Sequence, residues 1–340
     1  MFNVIHAEAD RDAALPIERG ILAAVGASLA GAATTDEDVL VEAAQDADVI
    51  LSEFMSFPRS VLQRLPQCKA IVGYTIGLDH YDLRAATELG IIIVHTPGFC
   101  ADEVSNHALM FVLACARRLM ALDRKTRQGW WPDGRNLEAA LTPMGSLRGE
   151  TLGLVGFGEI ARLVAGKSRA FGMQVMAFDP YASSDLFAQH GVVPASLDEV
   201  LTGSDYVSIH APLLLNTRHM IGAAQLSKMK AGAFLINTSR GAVVDERALV
   251  DALRERRIAG AALDVFEHEP PAAEHALFAL DNVILTPHAA YCSNAAYTRV
   301  RQMAADAALR VLRGEWPTAV ANPEVKGRSR MEQHASRMLE

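Results

Sequence analysis

Residues 151–165 read TLGLVGFGEIARLVA: an apolar run, then Gly156-Phe157-Gly158-Glu159-Ile160-Ala161, then helix-forming residues. A short strand that turns through G-x-G-x-x-A into a helix is the context a dinucleotide-binding fingerprint requires. Each small residue has its own task. Gly156 allows the tight turn, and Ala161 permits close helix–strand packing. Gly158 lets a pyrophosphate approach the backbone N–H groups where Glu159 and Ile160 open the helix. Because a glycine pattern alone occurs in many unrelated turns, its weight depends on the residues downstream of it.

Downstream lies a second strand, 174–178, ending in Asp179, which is 179 − 156 = 23 positions past the first glycine. An acid about 20 residues past the glycines is placed to accept hydrogen bonds from the adenosine ribose, and its charge repels the 2′-phosphate of NADP. The competing reading is a plain Asp179-Pro180 turn with no ligand. Taken together, fingerprint and acid indicate a Rossmann domain that uses NAD.

Outward from this stretch, short apolar runs alternate with helical periodicity along most of the chain, the pattern of parallel α/β sheets. At 340 residues the chain is too long for one typical core and suits two domains. Strands are expected at 3–6, 47–51, 69–72 and 91–94, which make a small doubly wound domain. A single long helix should cover 102–127, followed by a connector that carries Trp130-Trp131. The second series has strands at 151–157, 174–178, 205–209, 233–237, 259–265 and 282–286. Ser196 and Glu199 fit a capping box. A last helix should span 293–313, and the polar tail from Lys326 should be disordered.

Composition excludes several classes. With a net charge of −8 and no Lys/Arg cluster, the chain shows no nucleic-acid face. Its four cysteines form no C-x-x-C pair and no ligand spacing, which fits a reduced, cytoplasmic, metal-free protein. The start, MFNVIHAEADRD, lacks the pattern of a signal peptide, and no apolar run reaches the length of a membrane span.

Three stretches past strand ends carry the chemistry: INTSRGAVVDE, LDVFEHEP and LTPHAAY. They place Arg240, Glu269 and His288 at the edge where ligands collect in a doubly wound sheet. Singly, each reads as a solvated loop residue. Jointly, a fixed cation, a carboxylate and an imidazole suit proton and hydride transfer at a carbonyl beside a carboxylate.

With LGLVGFGEI, HAPLLLNTRHMI, INTSRGAVVDE, ALDVFEHEP and TPHAA in this order, the chain resembles the D-isomer-specific 2-hydroxyacid dehydrogenases over residues 1–325. TPGFCADEVSNHAL and PHAAYCSNAA resemble the C-terminal-binding-protein-like branch. The resemblance implies a flavodoxin-like substrate domain from 1–100 and 291–325, and an NAD-binding Rossmann domain from 101–290. It implies catalytic roles for Arg240, Glu269 and His288, a ribose contact at Asp179 and a nicotinamide contact at Asp264. His210, Pro212, Thr217 and Thr238 would line the cofactor. The backbone of Thr75, Ile76 and Gly77 would hold the substrate carboxylate together with Arg240, and Tyr291 would face the substrate. Gly73 stands where relatives often carry an arginine, and Tyr291 where the branch commonly has tryptophan. Glu269 separates the chain from formate dehydrogenases of similar fold, and the length leaves no room for the regulatory domain of many phosphoglycerate dehydrogenases. The implied activity is NAD-dependent interconversion of a 2-keto acid and a D-2-hydroxy acid by a homodimer. Its rivals are a corepressor-like, NAD-responsive assembly module and oxidation of a small oxyanion such as phosphite.

Overall fold

Strands buried on both faces need no apolar–polar alternation, and Val49–Ser52 and Ala70–Gly73 are buried at every position. The computed structural model describes residues 1–10, 13–132, 134 and 144–332. The chain divides into two units, Met1–Phe99 with the chain from Ser293 onward, and Cys100–Cys292.

In the first unit, β1 (Asn3–His6), β2 (Ser28–Gly31), β3 (Val49–Ser52), β4 (Ala70–Gly73) and β5 (Ile92–Val94) form a parallel sheet in the order β2-β1-β3-β4-β5. That is the flavodoxin-like order. β2 has no counterpart among the expected strands. Ser-Leu-Ala-Gly buries only Leu29 fully and sits at the sheet edge, so it lacks an apolar signature. The helix Asn294–Leu312 returns to this unit and packs on the helix Pro16–Leu22. There Arg301 grips the fully buried Glu18 with two hydrogen bonds of 2.7 and 2.8 Å, and the Tyr74 hydroxyl donates a third at 3.1 Å. Burial pushes the Glu18 carboxyl up, but the Arg301 guanidinium, a backbone hydrogen bond and the Tyr74 hydroxyl together hold it below the usual carboxylate range.

The second unit holds β6 (Thr151–Val155), β7 (Gln174–Phe178), β8 (Val193–Pro194), β9 (Tyr206–Ile209), β10 (Phe234–Asn237), β11 (Gly260–Leu263) and β12 (Val283–Leu285). Their order, β12-β11-β10-β9-β6-β7-β8, is the doubly wound Rossmann arrangement with one added strand. Its switch point lies between β6 and β9, beside the glycine loop. The Ser196–Glu199 capping box is present in both directions.

Two expectations fail for local reasons. The expected long helix is two, Ala101–Ala116 and Leu119–Arg127, because Arg118 adopts a left-handed φ of 48°. The tail from Lys326, described as far as Glu332, is held by specific contacts. The Arg330 N–H donates to Gly90 O at 2.8 Å, its guanidinium donates to the carbonyls of Leu65 and Cys68, and Met331 is buried. One apolar side chain and one carbonyl-capping cation anchor a segment that reads as merely polar. Residues 333–340 and most of the connector after Trp131 lie outside the described residues. Among the described residues no helix is long and apolar enough to cross a membrane.

Candidate active site

The glycine loop is built as the fingerprint requires. Gly156 has φ 93°, and a Cβ there would meet Ala211 N at 2.8 Å, so only glycine fits against the chain leaving β9. Gly158 is the N-cap of the helix Glu159–Ala170 and faces open space. Asp179 forms the turn that was its competing reading, and it also reaches the glycine loop. One carboxylate oxygen accepts the Phe157 N–H at 2.8 Å and the other accepts the Tyr181 N–H at 2.9 Å, so the acid shapes both the glycine loop and its own turn.

The neighbouring strand ends add polar groups. The His210 imidazole lies 2.9 Å from the Ser208 hydroxyl, and burial pushes it down to about 4, so it is neutral at physiological pH. The Thr217 hydroxyl donates to Pro212 O at 2.6 Å and accepts the Leu214 N–H at 2.7 Å, which fixes the loop after β9. The Thr238 hydroxyl is buried without a hydrogen-bond partner among the described residues. Such orphans are rare and ask for a ligand or ordered solvent. With the open cradle at Gly158, this vacant hydroxyl fits a dinucleotide along the sheet edge. Among the described residues no cluster could hold a metal ion.

His288 and Glu269 are brought together. Nδ1 of His288 lies 2.6 Å from a Glu269 carboxylate oxygen, and the other oxygen accepts the Phe266 N–H at 2.9 Å. Burial pushes the Glu269 carboxyl up. The hydrogen bonds from His288 and Phe266 and the charges of His288 and Arg240 outweigh it, so the group stays below its ordinary value. The Tyr291 ring stands edge-on to His288, 6.2 Å between centroids. Arg240 leaves β10 in extended backbone, its carbonyl accepting from the Asn237 amide at 2.9 Å.

Asp264 does more than its implied cofactor role. It is 1% exposed, and its carboxylate accepts the Thr286 hydroxyl at 2.5 Å and the Ala289 and Ala290 N–H groups at 2.9 Å each. Its carbonyl accepts the His288 N–H at 2.7 Å. This clamp holds His288 at φ 50°, a left-handed conformation that persists only where surrounding structure enforces it. His107, 3.0 Å from the Thr286 hydroxyl, braces the clamp from the helix Ala101–Ala116. Gly241 is equally structural. A Cβ there would overlap the backbone of Phe266 and Glu267, so the chain after Arg240 lies directly on the segment that carries Glu269. Sequence reading passed over His107 and Gly241; 179 residues separate His107 from Thr286, and no local pattern reports such a contact.

In the first unit, Thr75, Ile76 and Gly77 come just after β4. The Thr75 hydroxyl donates to Gly77 O at 3.1 Å, Thr75 O accepts the Thr96 N–H at 2.9 Å, and His95 Nδ1 lies 3.1 Å from Ile76 O. The departure at Gly73 has a physical partner, also missed in the sequence. A Cβ at Gly73 would meet the Tyr81 hydroxyl at 2.5 Å, so this buried phenol occupies the space a side chain would need.

Comparison with known proteins agrees with this geometry. Residues 109–290 match the family model for the D-isomer specific 2-hydroxyacid dehydrogenase NAD binding domain. A glyoxylate reductase of Korarchaeum cryptofilum is 38% identical over 298 residues, 86% of this chain and 88% of that protein. A glyoxylate reductase of Thermofilum pendens is 42% identical over 269 residues, 78% of each chain. The structure of D-lactate dehydrogenase from Aquifex aeolicus, complexed with NAD and lactic acid, is similar with a TM-score of 0.81 and 28% identity, covering 96% of this chain and 98% of that one. The family model covers more than half of the chain and the relatives match along most of it, so the chain belongs to the D-isomer specific 2-hydroxyacid dehydrogenase family.

Proposed function

We propose that the protein interconverts a small 2-keto acid, such as glyoxylate or pyruvate, and its D-2-hydroxy acid with NAD, and that Arg240, Glu269 and His288 carry the reaction. The observation that supports this most is the 2.6 Å contact between His288 Nδ1 and Glu269. It leaves Nε2 as the nitrogen that gives a proton to the keto oxygen, or takes one from the hydroxyl in reverse. Bound nicotinamide supplies or accepts the hydride. Arg240 binds the substrate carboxylate and polarises the carbonyl through charge-assisted hydrogen bonds. Tyr291, edge-on to His288, lines the pocket. The backbone at Gly156, Gly158, Glu159 and Ile160 receives the pyrophosphate, and Asp179 the ribose. His210, Pro212, Thr217, Thr238 and Asp264 border the rest of the cofactor.

The test is NADH oxidation with glyoxylate, pyruvate and a bulkier 2-keto acid. Turnover should fall about 100–1,000-fold in Arg240→Ala, the loss typical of removing one group that stabilises developing charge. If no 2-keto acid speeds NADH oxidation above the enzyme-free rate, the assignment is wrong.

Asp179 should set cofactor choice. The unmutated protein should prefer NADH strongly over NADPH, and Asp179→Ala should erode the preference by weakening NADH and relieving repulsion of the 2′-phosphate. Equal kcat/KM for both cofactors in the unmutated protein would remove Asp179 from this role.

The protein should also be a homodimer. Met110, Leu119, Met120 and Trp131 are exposed on or just after the helices Ala101–Ala116 and Leu119–Arg127, Trp131 by 83%. Exposed apolar side chains close together in sequence suit a subunit interface. Light scattering at micromolar concentration should give twice 36.7 kDa; the mass of one chain would count against it.

A further inference from the structure

The helix that receives the cofactor pyrophosphate begins with an acid. Glu159 lies in its first turn, exposed, and its carboxylate has no partner among the described residues. A carboxylate suits an unliganded helix N-terminus, but it repels a doubly charged pyrophosphate brought to the same place. One turn further, Arg162 reaches back. Its guanidinium donates to the carbonyl of Phe157, between the two glycines, at 3.1 Å. That carbonyl is its one hydrogen-bond partner among the described residues, and the side chain is partly exposed. Phe157 also gives its N–H to Asp179, so one residue ties the cation and the acid to the loop. A guanidinium has five N–H donors in a rigid fork that matches phosphate oxygens. One donor anchors Arg162 on the glycine loop and four remain for a ligand, while at Gly158 the same loop faces open space.

We propose that Arg162 is a ligand of the cofactor pyrophosphate and supplies the positive charge that offsets Glu159. The inference rests on the cofactor site described above and adds a side chain that neither the fingerprint nor the strand-end acid identifies. The anchor on Phe157 O orients the fork before the cofactor arrives, so less side-chain freedom is lost on binding.

Binding, not turnover, tests it. NADH, NADPH, ADP and adenosine are titrated calorimetrically into the unmutated protein, Arg162→Gln, Arg162→Lys and Glu159→Gln. Arg162→Gln should weaken NADH and ADP by the same factor, about tenfold, and leave adenosine, which has no phosphate, unchanged. Arg162→Lys should recover part of the loss. Glu159→Gln, a surface change that spares the fold, should tighten ADP. Salt should weaken NADH binding less steeply in Arg162→Gln. Equal weakening of adenosine would make Arg162 a loop brace, and a loss confined to NADPH would make it a 2′-phosphate ligand; either overturns the proposal, as does unaltered ADP binding in both Arg162→Gln and Glu159→Gln. Failure of the unmutated protein to bind NADH at all would overturn the cofactor site itself, a different result from an indifferent Arg162.

Discussion

His288→Asn should lower 2-keto acid reduction about 100–10,000-fold, the range for loss of a positioned general acid, while NADH binding stays nearly unchanged. The side chain keeps its approximate size but has no proton to give at neutral pH. The proposed cofactor cradle of Gly156, Gly158 and Asp179 is carried by other segments of the chain. Steady-state kinetics with a parallel NADH titration check both halves, and near-wild-type turnover would return His288 to a structural role. The pH profile adds a sign. The Glu269 carboxyl is held below the usual carboxylate range, so it is ionised through the neutral region. Activity that needs this charge holds there and is lost as pH falls through the lowered Glu269 value. Glu269→Gln keeps the shape and removes the charge. Turnover should therefore drop across the neutral range, and the acid-side fall that belongs to Glu269 should vanish from the profile.

Gly241→Ala should harm both stability and activity. The atoms a methyl group would strike are backbone atoms of Phe266 and Glu267 rather than the end of a flexible side chain, so two chain segments must part. The cost should exceed the roughly 1–3 kcal/mol typical of an overpacked core. At about 2–4 °C per kcal/mol for a domain of this size, the melting temperature should drop by several degrees. Arg240 precedes the glycine and Glu269 lies just beyond the struck segment, so the proposed catalytic groups separate as well. A displacement near 1 Å costs about 100-fold in rate. Thermal unfolding followed beside kcat/KM measures the two effects, and a variant that melts and turns over like the parent would show that these segments have slack.

The elements that sequence made legible are those with a local signature. Thr151–Val155 announces itself by an apolar run before glycines, and Ser196–Leu197–Asp198–Glu199 by its cap. The Glu269–His288 pair could be suspected because each residue sits just past an apolar strand, and parallel topology brings strand ends to one edge. The edge strands Ser28–Gly31 and Val193–Pro194 bury too little to leave a pattern. The break at Arg118 depends on one backbone angle that no neighbouring residue type demands. Asp264, His107 and Tyr81 act through contacts with distant segments or through the volume they fill, and single-residue periodicity carries neither kind of information.

The pairing of Glu18 with Arg301 has a consequence for how the chain is made. The two residues are 283 positions apart, and the whole second unit is synthesised between them. At roughly 5–20 residues per second the ribosome takes about a quarter of a minute to a minute to deliver the partner. Until then, burying Glu18 would leave a carboxylate uncompensated, at a cost of several kcal/mol. The N-terminal segment therefore waits unsealed along the helix Pro16–Leu22, while the inserted unit can complete itself. The helix that carries Glu18 is made early and is among the last parts of its unit to close.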